Sequence, residues 1–201
     1  MEGLIAGYRE FRGQRWPQER RLYEALADDQ KPKTFIISCC DSRVDPATIF
    51  SARPGELFIT RNVANLVPPF EQDGKYHGTS AAIEFAVTAL KVETVLVLGH
   101  ARCGGVSAAL TRSELTPGSF LAEWIRLLDP ALARCADDTG DRQIAVERES
   151  IRLSLERLAS FPFVAEAMRS RGLVLRGARF GISDGMLEIL DPTTNIFVQE
   201  G

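Results

Sequence analysis

Short apolar runs and longer amphipathic segments alternate along the first half of the chain. The apolar runs are rich in β-branched residues and cover about residues 34–39, 57–61 and 94–99. Such runs, bounded by polar and glycine residues, are typical of buried parallel strands. The segments with helical spacing cover about residues 46–51, 78–91 and 103–112. This order predicts an α/β fold with a central, mainly parallel β-sheet flanked by helices.

The N-terminal segment has a helical pattern but no evident place on that sheet. Apolar residues recur at helical spacing over about residues 3–28, and Gly13 and Pro17 interrupt them. This pattern predicts two helices with a kink between them. A chain of 201 residues buries one sizeable core. We therefore expect a single domain over residues 1–201, with residues 1–30 as a helical arm.

The second half of the chain is predicted to contain two helices and a terminal hairpin. An apolar stripe runs at helical spacing over 143–160, and a proline opens a shorter helix over 162–171. The polar stretch 131–142 indicates a loop. Two further apolar runs, 173–180 and 186–190, are joined by a Ser-Asp-Gly turn, which predicts a hairpin-like C-terminal extension.

Cysteine and histidine follow two of the predicted strands at the point where each strand ends. Cys39 ends the first run, and His100 and Cys103 follow the third. Ligands of α/β sheets bind just past the carboxyl ends of the strands, so these side chains are expected at one edge. Two thiolates and one imidazole favour Zn²⁺ over Mg²⁺ or Ca²⁺, and three ligands leave a fourth position for water. The sequence predicts one catalytic zinc ion per chain.

An acidic and a basic residue accompany the predicted ligands. Asp41 lies two residues after Cys39 and can compete with water for the open position on the metal, while Arg43 offers it a bidentate partner. With Asp41 held by Arg43 the metal is open, and with Asp41 turned inward as a fourth ligand it is capped. Two thiolates cancel the charge of the ion, so activity is expected to rise toward alkaline pH.

The motif Cys-x-Asp-Ser-Arg followed by Gly-His-x-x-Cys-Gly-Gly resembles the β-class carbonic anhydrases. The segments 54–65 and 79–87 resemble that family too, so the resemblance covers most of the chain. It implies zinc-dependent, reversible hydration of carbon dioxide to bicarbonate and a proton, by attack of zinc-bound hydroxide. In this scheme the Asp41–Arg43 pair orients the hydroxide and gates the metal. It also implies a homodimer or a dimer of dimers, with the arm lying across a second subunit.

The resemblance further implies a substrate pocket. Gln30 stands where plant-like members have a substrate-facing glutamine, and Phe85 stands where many members carry tyrosine. Together with Phe58 and Val63, Phe85 is expected to wall a small apolar pocket for carbon dioxide. The alternatives stay open: Gln30 is also compatible with an ordinary surface position, and Phe58 and Val63 with plain core packing.

Two positions favour the form that bicarbonate does not regulate. Regulated members carry a tryptophan three residues before the first cysteine and a tyrosine near the C-terminus. Ile36 and Phe180 stand at those positions here, and neither side chain can donate a hydrogen bond. The matching arginine, Arg61, is therefore expected to stand alone. This pattern implies the constitutively open, plant-like form, with Asp41 paired to Arg43.

Composition narrows the partners and the compartment. A formal charge of −3 with mixed signs argues against nucleic acid, and no apolar run reaches membrane-spanning length. The four cysteines do not suggest a disulfide framework, and the N-terminus lacks a secretory pattern, so we expect a cytoplasmic protein. Cys40 and Cys135 are expected to be packing residues, and His77 is given no role.

Two rival functions remain open at this point. The same scaffold can hydrolyse carbon disulfide or carbonyl sulfide, although a long apolar tunnel for those substrates is not favoured by the short segment 191–201. The second rival is a zinc-stabilised binding module, in which Asp41 is a permanent fourth ligand and the metal is structural.

Overall fold

A six-stranded sheet forms the centre of the part of the chain that this computed structural model describes, residues 1–73, 75–112 and 115–200. Its strands are β1 (Thr34–Cys39), β2 (Leu57–Asn62), β3 (Thr94–His100), β4 (Val174–Phe180), β5 (Leu187–Leu190) and β6 (Phe197–Glu200). Their order across the sheet is β2-β1-β3-β4-β5-β6. Strands β2, β1, β3 and β4 are parallel to one another, and β5 and β6 are antiparallel. The predicted α/β fold with a mainly parallel sheet is confirmed.

Helices occupy most of the chain between these strands. They are α1 (Glu2–Glu10), α2 (Trp16–Leu26), α3 (Pro46–Ile49), α4 (Gly78–Glu84), α5 (Gly104–Leu110), α6 (Phe120–Ile125), α7 (Asp129–Arg134), α8 (Arg142–Ser160) and α9 (Pro162–Arg171). Single π-helical turns follow α1 at Phe11–Arg15 and α4 at Phe85–Ala89. None of the helices in the described ranges is both long enough and apolar enough to traverse a bilayer.

The main core lies between one face of the sheet and helices α4, α8 and α9. Phe35 and Ile37 of β1 and Val95 and Val97 of β3 point to this face, where they meet Ile151 of α8 in one cluster of buried side chains. The alternate residues of the same strands point to the other face, as the period of two requires. There Ile36 and Leu98 are buried, whereas Leu57 and Leu96 remain partly exposed. The sheet is therefore covered more completely on one face than on the other.

The N-terminal arm is helical, as predicted. Gly13 lies in the π-helical turn that joins α1 to α2, and Pro17 follows it in α2, so the helical conformation runs from Glu2 to Leu26. Neither α1 nor α2 contains a buried residue. The arm thus carries apolar side chains that its own domain does not cover.

Three elements depart from the sequence prediction. The range 131–142 is not entirely a loop, because α7 extends from Asp129 to Arg134 and buries Ala131 completely. Pro130 lies in the first turn of α7, where proline is favourable. The apolar face of α7 packs in the same cluster as Cys39 and Cys103, at the carboxyl ends of β1 and β3, which we call the metal end of the sheet. The short helix α6 and the edge strand β6 were not predicted. Strand β6 uses residues 197–200 to form a second hairpin with β5.

Candidate metal centre

Three ligand atoms meet at the carboxyl edge of the sheet. Cys39 is the last residue of β1 and His100 is the last residue of β3. These strands are parallel neighbours, so both ends lie at the same edge, and Cys103 follows in the turn that leads into α5. The two sulfurs and a ring nitrogen of His100 lie within 4.8 Å of one another. All three residues are buried. The sequence prediction that they converge is confirmed.

The donor set fits a zinc ion. The Sγ atoms of Cys39 and Cys103 are 4.0 Å apart, close to the ~3.8 Å that tetrahedral coordination with zinc–sulfur bonds of ~2.3 Å requires. The Nδ1 atom of His100 lies 2.9 Å from the Ala101 carbonyl oxygen, whereas its buried Nε2 atom has no hydrogen-bond partner. A proton on Nδ1 leaves Nε2 free to ligate, which is the tautomer that a metal needs.

The two buried thiols are hydrogen-bonded to each other, and either sulfur can be the donor. This hydrogen bond lowers the pKa of Cys39 although burial opposes it, and the N–H groups of Asp41 and Ala64 also favour the Cys39 thiolate. The same hydrogen bond raises the pKa of Cys103, and burial adds to it. Burial lowers the pKa of His100, but the adjacent Cys39 sulfur and the Ala101 carbonyl raise it by more. A dication held by these residues would favour the thiolate form of both sulfurs.

Arg43 holds the carboxylate of Asp41 through three hydrogen bonds. The Nε and Nη2 atoms of Arg43 donate to the two carboxylate oxygens of Asp41 at 2.9 and 2.7 Å, and the Arg43 backbone N–H adds a third bond at 3.0 Å. The side-chain hydrogen bond from Arg43 holds the pKa of Asp41 well below its usual range. The carboxylate remains close to the ligands, with Oδ2 3.9 Å from Nε2 of His100. The pairing expected from the sequence is present.

Arg61 has no tryptophan or tyrosine donor beside it in the motif, since Ile36 and Phe180 stand at those positions, but its guanidinium is hydrogen-bonded to main-chain carbonyls. Its Nε donates to the carbonyl of Cys39 at 2.8 Å, and its Nη2 donates to the carbonyls of Asp41 and Val44 at 2.7 and 3.3 Å. Its Nη1 also lies 3.3 Å from a carboxylate oxygen of Asp45. Carbonyl acceptors could not be foreseen because the sequence shows only which side chains are present. Arg61 fixes the loop that carries the Asp41 side chain.

Three of the predicted substrate residues lie away from the ligands of their own chain. Phe58 is in register with Phe35, four residues before Cys39 on β1, a separation of ~13 Å along the strand. The ring of Phe85 lies 5.7 Å from that of Phe58, between centroids. Gln30 lines a cavity of about 520 Å³ together with Phe85. These residues form a group at the opposite end of β1 from the ligands.

Val63 lies at the metal end instead. It directly follows Asn62, which is in register with Cys39, and it lines a mostly apolar cavity of about 610 Å³ beside Cys40 and Trp124. Cys40 is exposed, so the expectation that it packs in the interior was wrong. Cys135 is buried as expected.

Sequence reasoning missed two polar residues on α8 that contact the turn between β3 and α5, which carries Cys103 and which we call the ligand loop. Gln143 and Glu147 lie one helical turn apart and reach the main chain of Cys103. The only signal in the sequence is their i, i+4 spacing beside an apolar stripe, which equally suits a solvated helix face. His77, which was given no role, has Nε2 2.6 Å from a carboxylate oxygen of Asp73.

Comparison with known proteins agrees with this geometry. Residues 34–187 match the carbonic anhydrase family. The chain is 34% identical over 197 residues to β carbonic anhydrase 3 of Arabidopsis thaliana, covering 94% of this chain and 76% of that protein. It superposes on the solved β-carbonic anhydrase CcaA with a TM-score of 0.89 and 29% identity, covering 100% and 92% of the two chains.

Two fungal structures are also similar. A tetrameric β-carbonic anhydrase of Sordaria macrospora gives a TM-score of 0.83 at 29% identity, covering 100% of this chain and 98% of that chain. The β-carbonic anhydrase CafA of Aspergillus fumigatus gives 0.83 at 32% identity, covering 94% and 90%. On these matches and on its converging ligands, the chain belongs to the β-carbonic anhydrases, and it is an enzyme of that family.

Proposed function

We propose that this enzyme hydrates carbon dioxide reversibly, to bicarbonate and a proton, at one zinc ion held by Cys39, His100 and Cys103. The observation that carries the proposal is the convergence of these three donor atoms within 4.8 Å at a buried sheet edge. Bound there, zinc would lower the pKa of a water molecule in the fourth position toward neutrality and so supply hydroxide as the nucleophile. The protein's part is to hold the ligands, keep the fourth position open and orient what binds there.

Asp41 has the orienting role in this proposal. Its carboxylate lies beside the ligand cluster and stays ionised, so it can accept a hydrogen bond from the nucleophile's O–H and aim the oxygen lone pair at carbon dioxide. Arg43 keeps that carboxylate turned outward through its two side-chain hydrogen bonds. Without Arg43, Asp41 would be free to swing toward the metal and fill the open position. The pair therefore both aims the nucleophile and gates the centre.

The pH dependence of turnover follows from the charges around the centre. The thiolates of Cys39 and Cys103 and a neutral His100 imidazole would cancel the charge of a bound dication, so a zinc ion here would lower the pKa of its water less than one held by neutral ligands. The pKa of that water is then higher, and activity rises toward alkaline pH. The pKa of Asp41 lies well below its usual range, so Asp41 does not titrate near neutral pH.

The substrate pocket is proposed to be shared between two copies of the chain. Phe58 lies about 13 Å along the strand direction from the ligands of its own chain. Phe85 packs against Phe58 and lines a cavity with Gln30, whereas Val63 lies at the metal end. The arm leaves apolar side chains uncovered, with Leu4 76% and Tyr8 61% exposed. An arm that packs on a second copy would bring that copy's Gln30 and Phe85 toward this chain's centre. The relative from Sordaria macrospora is described as tetrameric, which agrees with a homodimer or a dimer of dimers.

The two rival functions fit less well. A structural zinc site needs Asp41 as a fourth ligand, but Asp41 is bound to Arg43. Residues 197–200 form strand β6 at the edge of the sheet, and an assay of carbon disulfide and carbonyl sulfide beside carbon dioxide separates the other rival. We therefore propose the open, plant-like form of the enzyme, acting on carbon dioxide.

The test combines metal analysis with stopped-flow hydration of carbon dioxide between about pH 6.5 and 9. We expect one zinc per chain and a rate that rises with pH. Cys103→Ala should lose both the zinc and the activity. Cys135→Ala is the matched control, since it removes another buried thiol outside the ligand cluster and should keep both. If Cys103→Ala retains zinc and hydration, the ligand assignment is wrong. A wild-type protein that turns over carbon disulfide faster than carbon dioxide would reject the proposed substrate.

A further inference from the structure

A buried carboxylate lies directly behind the metal centre. Glu147 of α8 is only 2% exposed, and an ionised carboxylate is stable in such a position only when charge partners and hydrogen bonds satisfy it. Arg179 of β4, itself 7% exposed, donates to Oε2 of Glu147 from Nε at 2.9 Å and from Nη2 at 2.8 Å. Oε2 is thus occupied by a guanidinium, and Oε1 is left to face the ligand loop.

That second oxygen is directed at the backbone of a metal ligand. The N–H of Cys103 donates to Oε1 of Glu147 at 3.1 Å. The amide of Gln143, one turn earlier on α8, donates to the same oxygen at 2.8 Å and to the carbonyl of Cys103 at 3.1 Å. Both main-chain polar groups of Cys103 are therefore held by side chains of α8. Neither Glu147 nor Gln143 is among the three ligands.

The backbone at Cys103 needs such support. Arg102, immediately before it, has φ of 53°, a left-handed conformation that a residue with a side chain rarely adopts. Cys103 itself is extended and leaves its side chain in the turn between β3 and α5. Without hydrogen bonds from other elements, the backbone at Arg102 and Cys103 could change conformation and move the Cys103 side chain. Helix α8 is the longest helix among the described residues, so it offers a rigid surface against which the turn is fixed.

The charge behind Cys103 is balanced by a chain of four side chains. Arg179 also reaches Oε2 of Glu188 at 3.3 Å, and Arg148 donates to both oxygens of Glu188 at 3.1 and 2.7 Å. Two carboxylates thus alternate with two guanidiniums. Only Glu147, at one end of this chain, contacts a ligand residue. Glu188 is also a carboxylate bound to Arg179, like Glu147, but Arg179 separates it from the residues that contact Cys103.

We propose that Glu147 and Gln143 are positioning residues, which fix the Cys103 thiolate at the distance and angle that the metal requires. They touch neither substrate nor the metal and act only through the main chain of Cys103. This inference rests on the proposed zinc site. It adds that the affinity for the ion is set partly by a helix that contributes no ligand.

The test measures zinc affinity by competition with a chelator, and the visible spectrum of the cobalt-substituted protein, in Glu147→Gln and Gln143→Ala. An amide has one acceptor oxygen and cannot serve both Cys103 and Arg179. We expect zinc to dissociate about 10- to 100-fold more readily from Glu147→Gln, in the range for residues that orient ligands. The thiolate-to-cobalt absorption should shift as well. Gln143→Ala changes no charge and should weaken binding less.

Glu188→Gln is the matched control. It also exchanges a carboxylate for an amide against Arg179, so a general loss of stability would appear in both variants, but it should keep wild-type zinc affinity and cobalt spectrum. Equal zinc affinities and equal spectra in Glu147→Gln and Glu188→Gln would overturn the proposal. If Glu147→Gln does not fold, Gln143→Ala decides, and wild-type affinity there counts against the proposal. A wild-type chain that binds no zinc would instead refute the proposed function itself.

Discussion

The metal end of the sheet and the N-terminal arm are built in opposite ways. At the metal end both main-chain polar groups of Cys103 are held by side chains of α8, and the ligands Cys39, His100 and Cys103 are all buried. In the arm, neither α1 nor α2 buries a single residue, and the ion pairs Arg15–Glu19 and Arg20–Glu24 stay within one helix. The metal end is packed and hydrogen-bonded by residues of its own chain. The arm presents apolar side chains that only a second surface can cover.

This difference separates two parts of the same reaction. The groups that hold and orient the proposed metal come from a single chain. The groups predicted to face the substrate, Gln30 and Phe85, share the side of the molecule from which the arm departs, as both line a cavity with Tyr23 of α2. In the proposed arrangement the metal centre is complete within one chain, whereas the substrate pocket needs residues of a second copy. The following variants test each side of that division.

Arg43→Ala should have the largest effect on activity, because Arg43 lies at the metal end and holds Asp41 there. Asp41 loses its bidentate partner and can turn toward the metal. We expect hydration to fall about 100-fold across the pH range, the scale for losing a positioned group in the transition state, with the zinc content unchanged. Arg169→Ala, which removes an exposed pair with Glu166 on α9, is the control and should keep full activity. An unaltered rate in Arg43→Ala would remove the gate from the mechanism.

A double substitution on the apolar side of α1 should weaken the proposed packing of the N-terminal arm on a second copy. Leu4→Asp with Tyr8→Asp places charge on side chains that are exposed in one chain but buried if the arm lies on a partner. Losing ~1.5 kcal/mol or more for each side chain, on both arms of a dimer, should raise the dimer dissociation constant by at least about 100-fold. Sedimentation equilibrium measures this, and zinc content should not change. Glu10→Gln is the control. An unchanged dissociation constant would show that the arm is not the contact.

Mixing two inactive variants sharpens the comparison further. Cys103→Ala lacks a metal ligand and Gln30→Ala lacks the predicted substrate contact. If Gln30 serves the neighbouring chain, each mixed dimer holds one intact site. Random mixing after dissociation should then restore roughly a quarter of the wild-type activity. If Gln30 serves its own chain, the mixture should show only the average of the two parents.

The smallest expected effect concerns the ion pairs behind the metal end. Burial raises the pKa of Glu188, but the hydrogen bond and charge of Arg148 and the charge of Arg179 lower it by more, so the net direction is downward. A depressed pKa in the folded state stabilises the fold above the unfolded value of about 4.3, and this stabilisation is lost as the pH falls through the folded value. Glu188→Gln should therefore cost about 1 kcal/mol at neutral pH and less below about pH 4.

Urea unfolding at several pH values measures that difference. Glu166→Gln is the control, because Glu166 pairs with Arg169 on the exposed side of α9. A difference between wild type and Glu188→Gln that stays constant with pH would contradict the assignment.

The sequence was most informative where local pattern and chemistry coincide. A buried parallel strand is a continuous apolar run, so β1 and β3 were visible, and the ligands stand directly at their ends. The bidentate pairing of Asp41 and Arg43 was predictable because the two residues are only two positions apart. A short loop brings them together whatever the rest of the fold does.

The features that were missed depend on contacts between distant segments. Helices α6 and α7 are six residues each and owe their stability to packing, since such short helices are not stable alone. The roles of Arg61 and Glu147 rest on main-chain acceptors and donors, which no residue pattern reveals. The distance between Phe58 and the ligands of its own chain follows from strand register, which becomes known only when β1 and β2 are paired.

The contact between α8 and Cys103 has a consequence for biosynthesis. A ribosome releases Cys39, His100 and Cys103 well before it reaches Glu147 and, later still, Arg179. The emerging chain thus offers all three donors before the side chains of α8 can hold the main chain of Cys103. An ion bound at that stage would be held more tightly once α8 and β4 dock, and it would in turn favour their docking. Metal binding and the last steps of folding would then be one linked equilibrium. Removing the metal from the folded protein should first weaken the packing of α8.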